Sequence, residues 1–112
     1  MPLTQRAFYA ETIPVEVKLP VGTLNLTVRQ MDGETFVRFV HAAERAQNEG
    51  FARELVDTLV SIMERTIASW DYLDDKSGEP LPVTRETILT IPGPYLLRIA
   101  SDIIEATTRK GE

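Results

Sequence analysis

Apolar and polar residues alternate along this chain with two different periods, and the points where the period changes mark out its elements. From Thr12 to Leu19, the residues Ile13, Val15, Val17 and Leu19 alternate with Pro14, Glu16 and Lys18, the two-residue period of a strand with one buried face. A second alternation sets Leu24, Leu26 and Val28 against Asn25, Thr27 and Arg29. Between the two runs, Pro20-Val21-Gly22 supplies a fixed φ and then a residue that tolerates positive φ, so the pair predicts a β-hairpin. Pro14 cannot donate a ladder hydrogen bond, which requires its strand to lie at an edge or to begin after it.

From Asp32 the period lengthens to that of a helix. Phe36, Phe39, Val40, Ala43 and Gln47 share one face, Asp32 is placed to cap, Glu34 lies in the dipole-favoured first turn, and Gly50 stops the run. A longer helix is predicted from Phe51 to about Trp70, with Leu55, Leu59, Ile62, Met63 and Ile67 on a stripe widened by Val56 and Val60. So wide a stripe places this helix at the centre of the fold. Asp71 to Val83 holds Asp74, Asp75, Gly78, Pro80 and Pro82 and reads as a loop. Thr84 then caps a short helical turn through Ile88, Leu89 and Ile91, and Pro92-Gly93-Pro94 breaks it. A last helix from Pro94 carries Leu96, Ile99, Ala100, Ile103 and Ala106 inward. The expected fold class is α+β, mainly α: an N-terminal hairpin, three main helices and one short helical turn. Residues 1–112 are expected to form one domain, with 1–10 and 107–112 flexible.

Composition narrows the function classes. An apolar fraction of 43% beside a charged fraction of 26% is that of an ordinary globular chain with a modest core. A net charge of −5, with no local cluster of Lys and Arg, argues against a phosphate backbone as partner. The chain has no cysteine, hence no disulfide framework, thiolate zinc site or cysteine nucleophile, in keeping with a reducing compartment. Met1 to Ala10 lacks the basic start and apolar run of a signal peptide, and no stretch nears the roughly 18 apolar residues of a membrane span, so a cytoplasmic location is expected.

Candidate chemistry is sparse. His41, the single histidine, flanks the apolar face of the first helix and reads as a rim residue; no serine is placed on a strained turn to make a triad with it. The acidic loop Asp71, Asp74, Asp75, Ser77 and Glu79 has oxygen ligands suited to calcium. An EF-hand begun at Asp71 would nevertheless put Leu73 at its third position, Lys76 where glycine is needed and Pro82 where the bidentate glutamate belongs, so a solvated turn is the better reading. The six glycines are isolated and none opens a phosphate-cradling motif. These residues predict no enzyme, no cofactor and no metal. The remaining candidates for contact with another protein are aromatic and apolar: Trp70, Tyr72 and Leu73 after the central helix, and Phe8 and Tyr9 ahead of the first strand.

One stretch carries a resemblance. Ile67-Ala68-Ser69-Trp70-Asp71, the loop Asp75-Lys76-Ser77-Gly78-Glu79-Pro80-Leu81-Pro82, then Val83-Thr84-Arg85-Glu86 and an Ile-Pro break before a terminal helix resemble the layout of the phage tail assembly chaperones of long-tailed phages and prophages. The first half agrees in element order, with Leu24 to Arg29 running into the cap and helix at Asp32 to Gln47. The resemblance implies a protein made in the cytoplasm of a bacterial host that binds the tape measure protein, helps recruit tail tube subunits in tail morphogenesis, and is absent from the finished particle. It also implies a family often made in two lengths by frameshifting, and it transfers no catalytic residue. A structural tail or connector subunit of a phage or prophage particle is the alternative, separated by mass spectrometry of purified particles. The residues leave a homo-oligomer open and point to neither nucleic acid nor membrane.

Overall fold

The computed structural model describes residues 2–110. In chain order these form α1 (Gln5–Tyr9), β1 (Thr12–Leu19), β2 (Gly22–Arg29), α2 (Gly33–Glu49), α3 (Arg53–Thr66), β3 (Ile67–Trp70), α4 (Arg85–Ile88) and α5 (Gly93–Lys110). The class is α+β, mainly α, as the two periods predict.

The hairpin is present in the expected register, Thr12 opposite Arg29 and Leu19 opposite Gly22. Its alternation separates two faces: Ile13, Val15, Val17, Leu24, Leu26 and Val28 are buried, while Pro14, Glu16, Lys18 and Asn25 are exposed. Strand order is β1-β2-β3, so Pro14 stands on an edge strand, where its missing N–H leaves no ladder bond unmade.

The largest departure from the sequence reading lies at the end of the central helix. Helix α3 stops at Thr66, and Ile67–Trp70 pairs antiparallel with β2, Leu26 opposite Trp70 and Val28 opposite Ile67. Ile67 and Trp70 are three residues apart and both are buried, which is helical spacing and places them on the predicted stripe. In a regular strand, residues three apart face opposite sides. The register slips between Thr27 and Val28, and this bulge lets both side chains reach the core from a strand. Arg29 holds the switch: its Nη1 donates to the carbonyls of Arg65 at 3.1 Å and Ile67 at 3.3 Å, satisfying acceptors that the ended helix exposes.

The helices cover one face of the sheet. Helix α2 contributes Phe39, Ala42, Ala43 and Ala46, helix α3 Leu55, Leu59, Val60, Ile62 and Met63, and helix α5 Leu96, Ile99, Ala100 and Ile103. These residues and the inner face of the sheet make one contiguous cluster. Gly50 ends α2 at φ 94°, a conformation open to glycine, with its N–H donating to the Ala46 carbonyl at 3.1 Å. Helix α4 is fastened to α3 by the Arg85–Asp57 ion pair and by the Arg85 backbone N–H, which donates to Glu64 Oε2 at 2.6 Å.

Two terminal segments take helical form. Residues 5–9 form the short helix α1, capped by the Thr4 side chain, although none of its residues is buried. Helix α5 runs on past Thr107, which is itself buried and donates from Oγ1 to the Ile103 carbonyl at 2.9 Å. The expectation for Met1 and for residues 111–112 lies outside the described residues.

At the start of α2, Asp32 Oδ1 accepts from the Thr35 backbone N–H at 2.7 Å, and this bond holds the Asp32 carboxyl below its ordinary value. Because folding lowers this pKa, the stabilisation is complete above the unfolded value of about 3.9 and is lost as pH falls through the lower folded value. Asn caps without titrating. We expect Asp32→Asn to flatten the dependence of stability on pH below about pH 5, measured by urea unfolding at a series of pH values. Equal slopes in the two proteins would contradict the cap.

Candidate functional site

The third strand does not end its influence at Trp70. The Asp71 backbone N–H donates to the Asn25 carbonyl at 3.0 Å, extending the ladder by one residue. Asp71 also accepts from Asn25, at Oδ1 from the backbone N–H at 2.7 Å and at Oδ2 from Nδ2 at 2.9 Å. The loop therefore leaves the sheet in a fixed direction.

Beyond Asp71 the acidic stretch closes as a small hairpin. Leu73 bridges to Pro80, the Leu81 N–H donates to the Tyr72 carbonyl at 2.8 Å, and the Asp74 N–H donates to the Glu79 carbonyl at 2.9 Å. Gly78 sits at φ 72° at the turn, and Asp74 Oδ2 accepts from the Ser77 N–H at 3.1 Å. The carboxylate of Asp74 thus serves turn geometry. Among the described residues no group of three His, Cys, Asp or Glu side chains gathers as metal ligands.

This small hairpin forms one wall of an apolar cleft. The Trp70 ring is 7% exposed and its Nε1 donates to the Leu81 carbonyl at 2.7 Å, tying strand to loop. Tyr72 meets it edge-on, with ring centroids 5.5 Å apart and planes at 87°. The Tyr72 hydroxyl is 2.9 Å from Thr90 Oγ1, so the loop is also latched to the segment before α5. Between the tip of the β1–β2 hairpin, this loop and the start of α5 lies an open space of about 480 Å³. Leu24, Ile91 and Ile99 line it as buried residues, Leu19, Tyr72 and Tyr95 as half-buried ones. Leu73, 49% exposed, and Val21, 78% exposed, stand at its rim.

Of the five residues singled out in the sequence, Tyr72 and Leu73 line this cleft, and Trp70 packs against Tyr72 without lining it. Trp70 is the buried support, and Tyr72 and Leu73 are the accessible surface. Phe8 and Tyr9 are 58% and 41% exposed on α1, which joins the hairpin at Thr12, the end remote from the cleft. The periodicity missed Leu19, Val21, Leu24, Ile91 and Tyr95 as site residues. Val21 carried a signal, since a tight hairpin turn favours small or polar residues and an apolar one there has no local use.

The lining of the cleft is mainly apolar. Its one charged lining residue is Asp71, and both oxygens of that carboxylate already accept from Asn25. No histidine, cysteine or pair of carboxylates lines it. His41 lies exposed on α2, away from these residues. Comparison with family models, curated proteins and solved structures finds no match for this chain.

Trp70→Phe keeps an aromatic ring but removes the donor to Leu81 and some buried volume. We expect it to lower stability by about 1–2 kcal/mol, read from urea unfolding midpoints at unchanged m-value. An unshifted midpoint would show that the Trp70–Leu81 bond does not hold the loop.

Proposed function

We propose that this protein is a phage tail assembly chaperone, a binding protein that docks an apolar helical ridge of the tape measure protein in the cleft between the hairpin tip and the start of α5. The observation that carries the reading is the cleft itself: open and mainly apolar, with the Asp71 carboxylate and the Tyr72 hydroxyl on its wall already engaged. Its volume falls within the range of about 300–1,000 Å³ common to binding pockets, enough for a few large side chains from one helix face and not for a whole helix. Burial of those side chains supplies the affinity.

The resemblance of the segment from Trp70 to Glu86 supports the choice of client, and the same segment builds the cleft wall. A net charge of −5 adds solubility to a client coated with several copies and favours basic client segments. Recruitment of tail tube subunits in the bacterial cytoplasm belongs to the same proposal, as does action by binding without catalytic turnover.

Co-expression with the tape measure protein tests it. We expect the client to stay soluble and to co-elute with this chain, and Leu73→Asp, on an exposed rim position, to weaken the complex at least about tenfold by burying a charge in an apolar contact. Client solubility that does not change when this chain is present, or a complex indifferent to Leu73→Asp, would contradict the proposal.

A further inference from the structure

We propose that the α1 arm of one copy occupies the apolar cleft of a second copy, so that the free protein pairs with itself and the client must displace the arm. The proposal rests on the reading of the cleft as a docking groove. Helix α1 contributes no buried residue to the core, although Thr4 caps it. Leu3, Phe8 and Tyr9 are all exposed, an apolar group on an arm otherwise made of small and polar residues. One chain thus holds both an apolar arm without a seat and an apolar seat without an occupant.

The arm cannot fill its own cleft. Phe8 precedes Thr12 by four residues, so it lies within about 14 Å of that end of β1 even if the intervening chain is extended. The cleft begins at Leu19, seven strand residues further on, or about 23 Å away. A second copy removes this limit. Strand β1 is an outer strand of the sheet with α5 packed along it, and two copies set with these strands antiparallel place the Thr12 end of each beside the Leu19 end of the other. Each arm then arrives at the partner's cleft, in a closed two-fold arrangement.

Charge agrees with this pairing. From Pro2 to Ala10 the single charged side chain is Arg6, whereas the loop at the cleft carries Asp74, Asp75 and Glu79 against Lys76. Pairing of this kind shields the apolar cleft while no client is present.

Sedimentation of the full chain from micromolar to millimolar concentration, with mixing of two variants, tests the proposal. Phe8→Ser with Tyr9→Ser removes the arm's anchors at positions that carry no core packing, and Leu73→Asp spoils the seat at its exposed rim. Circular dichroism and thermal melts check that both remain folded. We expect the parent chain to dimerise with concentration, and each variant alone to require at least about tenfold more protein to do so. Mixed, the variants are expected to form a one-to-one pair, since one retains the seat and the other the arm. The arm variant should also bind the client more tightly than the parent does. A parent chain that stays monomeric, dimers that survive both variants, or variants that fail to pair when mixed would overturn the proposal. If the parent is monomeric while Leu73→Asp still loses the client, self-pairing falls and the docking function stands.

Discussion

Pairing of Ile67–Trp70 with β2 is the contact on which the apolar cleft depends. It places Trp70 opposite Leu26 at the edge of the core, and the Asn25–Asp71 bonds then fix the direction in which the chain leaves the sheet. From there Tyr72 and Leu73 can only run along the mouth of the hairpin tip. Were α3 to continue as a helix through Trp70, the loop would start elsewhere and the hairpin tip would lose one wall of its cleft. The Arg29 side chain, which crosses from β2 to the carbonyls of Arg65 and Ile67, makes the change from helix to strand affordable in polar terms.

The cleft gains its character from satisfied polar groups as much as from apolar ones. Asp71 spends its carboxylate on Asn25 and Tyr72 its hydroxyl on Thr90, while the backbone N–H groups of Asp74, Gly78 and Leu81 donate within the loop. What faces the opening is mainly hydrocarbon and aromatic edge, beside the Thr23 and Tyr95 side chains, and this is the surface that the proposed docking would remove from water. Such a surface is sticky without a partner, and an arm with exposed Leu3, Phe8 and Tyr9 on the same chain is a fitting cover for it.

Much of the fold was legible in the residues. Alternation gave the hairpin and its buried face, Pro14 identified the edge, and Asp32, Gly50 and Thr84 marked helix ends where the structure has them. The third strand was hidden because a bulge makes a strand mimic helical spacing at Ile67 and Trp70, and a bulge is a property of two strands together that no local pattern carries. The cleft was half visible. Tyr72 and Leu73 stood out as aromatic and apolar residues next to an acidic loop, but Leu19, Leu24 and Ile91 look like ordinary core positions until the loop is folded against them. Helix α1 was missed because a five-residue helix with no buried side leaves no periodic signal.

Amide hydrogen exchange at Asp71 and Asn25 tests the central claim most directly. Both N–H groups bond across the β2–β3 junction, Asp71 to the Asn25 carbonyl and Asn25 to the Asp71 carboxylate. If that junction anchors the functional face, the two amides exchange together with those of the buried stretch of α3, as part of one cooperative unit. Exchange of the Asp71 amide as fast as that of the exposed loop at Lys76, while β1 and β2 stay protected, would show that the third strand is an ornament on the hairpin and would contradict the account.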